Sequence, residues 1–216
     1  MLDLPQRPKS RRFHLSDHRF RHERAHRHRQ FSGRYPPNKA QSFVIAFSSA
    51  TTFNPTNVSL GFSCTNAGDA AITPGVNTLL LSVSTVATSD VVALGATTTN
   101  DGILHIAGTT SSNAFAVATV DVGAGTAITA TANSGSATLP LTLSICQTDP
   151  VTAACLSPAA SSVNVAIAGN ATPTFSIFAG ASGAIPFLPG VNRIFVQFSD
   201  SFGAVRGSTS VAVETQ

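Results

Sequence analysis

In several segments of the chain apolar and polar residues alternate with a period of two. In Leu139–Cys146, the side chains of Leu139, Leu141, Leu143 and Ile145 fall on one face, and Thr142, Ser144 and Cys146 fall on the other. Successive side chains of a strand point to opposite sides of a sheet, so this pattern predicts a half-buried strand. The same alternation recurs at Val163, Val165 and Ile167, at Phe175 and Ile177 against Phe178, at Ile194, Val196 and Phe198, and at Val211 and Val213. Upstream, Val58–Phe62 with Cys64, Thr78–Ser84 (Leu79, Leu81 and Val83 on one face) and Val91–Ala93 are shorter candidates. Phe115–Val122 is apolar on both faces, as in a more central strand, and Thr126–Ala132 has the threonine-rich composition of a strand. Glycine turns at 123–125 and 133–135 separate these segments and predict an antiparallel meander. Asn100, Asp101 and Gly102 between Ala96–Thr99 and Ile103–Ala107 predict a hairpin.

Outside the N-terminal head no segment carries a 3.6-residue apolar period. Many short strands divided by Gly, Pro and Asn predict an all-β chain: an antiparallel β-sandwich, jelly-roll or immunoglobulin-like, over residues 55–216. Residues 1–54 read as a basic, mostly disordered leader.

Charge divides the chain at the same place. Residues 1–40 hold 11 of the 13 Lys/Arg, five of the six His and three of the ten acids, a formal +8. The remaining 176 residues hold only Arg193, Arg206 and seven acids, a formal −5, with no lysine. The whole-chain pI of about 9.1 therefore averages two unlike parts. A body so poor in charge and so rich in Ala, Ser, Thr, Val and Gly is unusual for a cytosolic enzyme, and by association such compositions are common in secreted bacterial β-repeat proteins. No run reaches the roughly 18 apolar residues that a membrane span needs.

The three cysteines refine the picture. Cys146 and Cys155 are separated by the eight residues QTDPVTAA, with Asp149 and Pro150 starting a turn. The spacing is far from Cys-x-x-Cys and no histidine lies nearby, so a disulfide is the expected state, worth about 2–3 kcal/mol by loop closure. Such a bridge places the chain in an oxidising compartment, extracellular or at the cell surface. Cys64 is left as a free or intermolecular thiol.

In the head, His14, His18, His22 and His26 recur every four residues and would form a stripe on a helix. That spacing admits a shared metal, and the clustered positive charge admits nucleic acid or acidic lipid through residues 1–40, against the plainer reading of a low-complexity leader. Ser10, Arg11 and Arg12 begin like a twin-arginine export signal, but Arg and His follow where an apolar segment belongs. Phe43–Phe47 is shorter than most signal cores, so no signal peptide is identified.

The chemistry of an enzyme is missing. The body's only histidine is His105, expected to face solvent with a structural role, and no Gly-x-Ser-x-Gly occurs. Asp69, Asp90, Asp101, Asp121, Asp149, Asp200 and Glu214 are isolated, mostly at predicted turns that they would stabilise. No motif supports a calcium site, although aspartates from separate loops can converge on one. Without Trp, and with the single Tyr35 in the head, stacking platforms for sugars are scarce.

An internal echo stands out: Pro74, Gly75, Val76 and Asn77 before LLLSVS match Pro189, Gly190, Val191 and Asn192 before IFVQFSD, 115 residues apart. One full module and the end of a preceding one would give this spacing.

The run FAVATVDVGAGTAITATANSGSATLPLTLSICQTDP, followed by TPTFSIFAG, resembles the bacterial pre-peptidase C-terminal domain, over roughly residues 113–180. Where that family carries acids before its third strand, Leu139, Pro140 and Leu141 stand here, so no calcium site is carried over. RIFVQFSDSFGAVRGSTSVAV is similar to repeated sandwich modules of large exported bacterial proteins. The resemblance implies a non-catalytic accessory, spacer or adhesive domain. The expected function is thus a structural module of an exported or surface protein, with loop-mediated ligand binding as the first alternative and binding through the His/Arg head as the second.

Overall fold

The computed structural model describes residues 45–64, 68–73 and 75–216, together with the backbone of two short strands in the head. Every regular element among these residues is a strand. In chain order they are β1 (Arg11–Phe13), β2 (Phe31–Gly33), β3 (Phe53–Ser59), β4 (Phe62–Cys64), β5 (Gly68–Asp69), β6 (Thr78–Val83), β7 (Val91–Ala96) and β8 (Ile103–Ile106). There follow β9 (Ser112–Asp121), β10 (Thr126–Asn133), β11 (Leu141–Thr148), β12 (Ser162–Ile167), β13 (Thr174–Ala181), β14 (Arg193–Asp200) and β15 (Val205–Thr215).

Two principal sheets form, in the orders β12-β10-β14-β15-β8 and β11-β13-β9-β7, neither closed into a barrel. A separate pair, β3 with β6, and a small sheet β2-β1-β4-β5 precede them. The pairings are antiparallel except β8 with β15, which run parallel. Both principal sheets feed one core. Val117, Ile145, Phe175 and Ile177 from one and Ile194, Val196, Phe198 and Leu104 from the other are all at most 1 % exposed. Phe175 and Phe198 meet across it with ring centroids 5.3 Å apart and planes inclined at 59°, a favoured aromatic geometry. The alternation read from sequence selects these residues. In β14 the buried apolar positions are Ile194, Val196 and Phe198, and in β13 Phe178 faces outward at 37 % exposure.

Two local expectations are overturned. The meander is absent: β9 and β11 lie in one sheet and β10 in the other, so consecutive strands cross the core instead of pairing. Asp121 at the end of β9 explains the crossing. Its buried carboxylate accepts from Ser89 Oγ (2.8 Å), Asp90 N–H (3.0 Å) and Gly123 N–H (2.8 Å), which ties the exit of β9 to the segment before β7. Gly123 is held so close there that a Cβ would stand 2.1 Å from the Thr88 carbonyl oxygen.

The Asn100–Gly102 hairpin is also absent, for β7 pairs with β9 and β8 with β15. A two-residue type I′ hairpin needs positive φ at adjacent central residues. Here φ is positive at Asn100 (54°) and Gly102 (77°), with Asp101 between them outside that region. The Asp101 carboxylate instead collects Thr99 Oγ1 (2.7 Å), Ile103 N–H (2.9 Å) and Thr97 Oγ1 (3.3 Å), and the chain passes to the other sheet.

The sequence echo is a repeated turn. Asn77 N–H donates to the Thr73 carbonyl (3.2 Å) and its side-chain amide to the Ala71 carbonyl (3.0 Å). Asn192 makes the matching pair, to the Leu188 carbonyl (2.8 Å) and the Pro186 carbonyl (2.8 Å). Each asparagine is 6 % exposed and leads straight into a strand, β6 or β14. The first turn is seated on the body: Gly75, with φ 74°, lies where a Cβ would meet Ser210 Oγ at 2.6 Å.

Candidate functional site

The cysteines of the expected staple are joined: Cys146 and Cys155 form a disulfide with Cα atoms 5.6 Å apart. Cys146 is fully buried at the end of β11, and the returning chain pairs with that strand through Thr148 with Cys155 and Ile145 with Ala160. The bridge thus closes a loop against the edge of a principal sheet. Cys64 ends β4, but its side chain lies outside the described residues, as do His14, His18, His22 and His26. Among the described residues, no group of three or more His, Cys, Asp or Glu is placed to hold a metal ion. No helix there is long and apolar enough to cross a membrane.

His105 does not simply face solvent. Its side chain is 24 % exposed and lies between two carboxylates, with Nε2 2.9 Å from Asp101 Oδ2 and Nδ1 2.8 Å from Glu214 Oε1. The Gln216 amide nitrogen lies 3.0 Å from Glu214 Oε1 and closes the cluster. Asp101 is held well below the usual carboxylate range, first by His105 and then by Thr99 and the Ile103 N–H. The His105 pKa is raised, chiefly by the bond to Asp101; burial opposes this and Glu214 adds to it. Each ring nitrogen lies within hydrogen-bond distance of a carboxylate, and the Gln216 amide nitrogen lies 2.7 Å from Nδ1, so the ring ties the loop before β8 to the C-terminal residues.

The acids of the body divide by environment. Asp149 is held low by the N–H groups of Thr152 and Val151, the turn role expected of it. Burial raises the Asp90 pKa, and the neighbouring Asp121 raises it further. Burial also pushes Asp200 upward, but Arg206 and the N–H groups of Ala204 and Phe202 outweigh it and leave Asp200 below its ordinary value.

The two arginines of the body, which sequence reasoning left without a role, occupy defined places. Arg193 is 6 % exposed and binds neutral oxygens: Ser210 Oγ through Nε (3.0 Å), the Ser210 carbonyl through Nη2 (3.0 Å) and the Pro189 carbonyl through Nη1 (2.7 Å). Burial lowers its pKa. It fastens the second asparagine turn to β15, at the residue against which the first turn rests. Arg206 begins β15 and donates from Nε to Asp200 Oδ2 at 2.7 Å. Asp200 Oδ1 is held in turn by Phe202 N–H (2.9 Å) and Ala204 N–H (3.0 Å).

Arg206 forms one wall of a groove of about 420 Å³ between the body and the β3–β6 pair. Phe53 and Asn54 from β3, Ser82 from β6, and Ser84 and Thr88 from the following segment supply the other walls. The lining mixes hydroxyl and amide groups with Phe53, Pro55 and Val83 around one guanidinium. Its single legible sequence signal was the scarcity of cations in the body. The other lining residues form no sequence motif and are brought together by the packing of β3–β6 against the body.

No protein-family model matches the chain, and no curated protein matches it.

Proposed function

We propose that residues 55–216 form an antiparallel β-sandwich that serves as a non-catalytic structural or spacer module of an exported or cell-surface bacterial protein. The strand order supports the immunoglobulin-like form over the jelly roll. Taking β7, β9, β10, β11, β13, β14 and β15 as A to G in chain order, one sheet reads A-B-E-D and the other C-F-G, the order of that fold. The strands β8 and β12 are additions at the outer edges.

The seated turn at 71–77 carries the functional reading. A turn of the same sequence and bonding precedes β14, and the first rests on β15 beside the second, with Gly190 near Thr73 Oγ1. One unit's last strands are thereby fixed against the next unit, the arrangement a stiff array of modules needs. The disulfide supports an oxidising, extracellular setting.

The reading is tested by thiol alkylation and mass spectrometry of the native protein, with and without reductant, and by deletion of residues 1–40. It expects an intact Cys146–Cys155 bridge and a principal core that still folds after the deletion, although β4 loses its pairing with β1. Three alkylated thiols in native material would overturn the export assignment. DNA or metal binding that disappears with residues 1–40 would move the function to the head.

A further inference from the structure

We propose that the outer face of the sheet β11-β13-β9-β7 is the contact surface for a second copy of this chain, packed face to face about a two-fold axis. This goes beyond the spacer role and does not rest on it.

The outer faces of the two principal sheets differ. On the sheet β12-β10-β14-β15-β8, outward side chains bond to one another: Thr129 Oγ1 donates to Asn164 Oδ1 (2.7 Å) and Asn133 Nδ2 to Gln197 Oε1 (3.2 Å). An antiparallel sheet with one face in water carries such a polar surface. The other sheet does not. Its outward positions include Val92 (53 % exposed), Leu94 (69 %) and Phe178, with the exposed alanines Ala96, Ala116 and Ala118 among them. The strand register makes them neighbours, for Ala116 stands between Ala96 and Ser176, and Ala118 between Leu94 and Thr174. A contiguous exposed apolar face marks an interaction surface.

Charge and shape choose its occupant. Asp121 is the only charged residue of these four strands, and it is fully buried. The head, a formal +8 over residues 1–40, therefore finds no acid to pair with on this face. A copy of the same face does fit. The body carries a formal −5, and here two bodies meet without bringing like charges together. A two-fold axis close to β9 at Ala116 keeps the facing strands within the roughly 30° at which sheets pack. It sets Ala116 on Ala116, Ala96 over Ser176 and Leu94 over Thr174, so the large side chain of one copy meets a small one of the other. Four strands about 4.8 Å apart and about 25 Å long present roughly 500 Å² per copy. The total of about 1,000 Å² is at the low end of specific interfaces, as for a reversible dimer.

The test is sedimentation equilibrium of the full chain in high salt, which suppresses attraction between head and body. A monomer–dimer equilibrium is expected. Ala116→Glu sets two carboxylates against each other at the axis and should weaken association at least about tenfold, with the unfolding midpoint unchanged. Mixing that variant with Ala116→Lys should restore it. Leu94→Ser, at an exposed position on an edge strand, should weaken association without touching the core. In a Cys64→Ser background, Ala116→Cys should give a disulfide-linked dimer on mild oxidation, and Ser162→Cys on the other sheet should not. A monomer at every concentration, a dimer that survives both Ala116→Glu and Leu94→Ser, or cross-linking through Ser162→Cys alone would each overturn the proposal. A chain that dimerises only once residues 1–40 are removed would overturn it in favour of the head as the occupant.

Discussion

His105 and Glu214 stand directly opposite each other in the parallel pairing of β8 with β15, their side chains 2.8 Å apart although 109 residues separate them. Asp101 holds the other face of the imidazole, so one ring fastens the loop before β8 to the C-terminal strand. The charged form of His105 is favoured in the fold, and its stabilising contribution is complete below the unfolded histidine value of about 6.5. It is lost as pH rises through the folded value. Asp101 behaves oppositely: its contribution is present above about 3.9 and is lost as pH falls through its depressed folded value. Stability measured by denaturant unfolding should therefore decline as pH rises above about 6.5. His105→Asn should flatten that decline, and an unchanged slope in the variant would show that the clamp contributes nothing.

Replacing Cys146 and Cys155 together by serine opens the loop at the sheet edge. The expected loss is about 2–3 kcal/mol in urea unfolding, and reductant should reproduce it in the parent chain. A loss confined to protease sensitivity of residues 147–160, with global stability unchanged, would show that the staple protects only its own loop.

Phe175 and Phe198 are both fully buried and come from opposite sheets. Truncating either to alanine should cost about 3–5 kcal/mol through lost burial and the cavity left behind. A double-mutant cycle should return about 0.5–1.5 kcal/mol of coupling between the rings. Strict additivity would mean that the two rings act independently despite their contact.

Gly123 cannot carry a side chain without moving backbone, because the Thr88 carbonyl oxygen occupies the place of its Cβ. Gly123→Ala should destabilise the chain by about 1–3 kcal/mol. Thr88 also lines the groove, so amide exchange should accelerate over 88–90. A variant with parental stability and exchange would mean that this junction yields freely.

Asn77 and Asn192 offer a comparison within one molecule. Removing either side-chain amide leaves a carbonyl and a turn without their partner, at a cost of about 1–3 kcal/mol. Asn192→Ala should lower the stability of the main core, since its turn leads into the central strand β14. Asn77→Ala should loosen 53–83 first, and limited proteolysis should separate the two effects. Identical proteolytic patterns would argue against 53–83 as a distinct seated unit.

The period-two alternation by itself determined that the chain is all-β and which faces of β13 and β14 carry the apolar core, because a strand's side-chain direction is a local property; β15, buried on both faces from Thr209 to Val213, owes that to the packing around it. The Cys146–Cys155 bridge was legible for an equally local reason: eight intervening residues leave few ways to arrange the pair. Partner choice was not local. Gly123–Gly125 and Asn100–Gly102 are good turn sequences, yet the carboxylates of Asp121 and Asp101 redirect both turns through contacts with residues outside a simple hairpin. Only the tertiary structure therefore decided that β9, β10 and β11 cross between sheets and that β8 runs parallel to β15. The His105 cluster and the groove at Arg206 were invisible for a related reason. Each gathers residues from segments some 100 or more positions apart, and their proximity comes from burial of the shared core, not from any spacing along the chain.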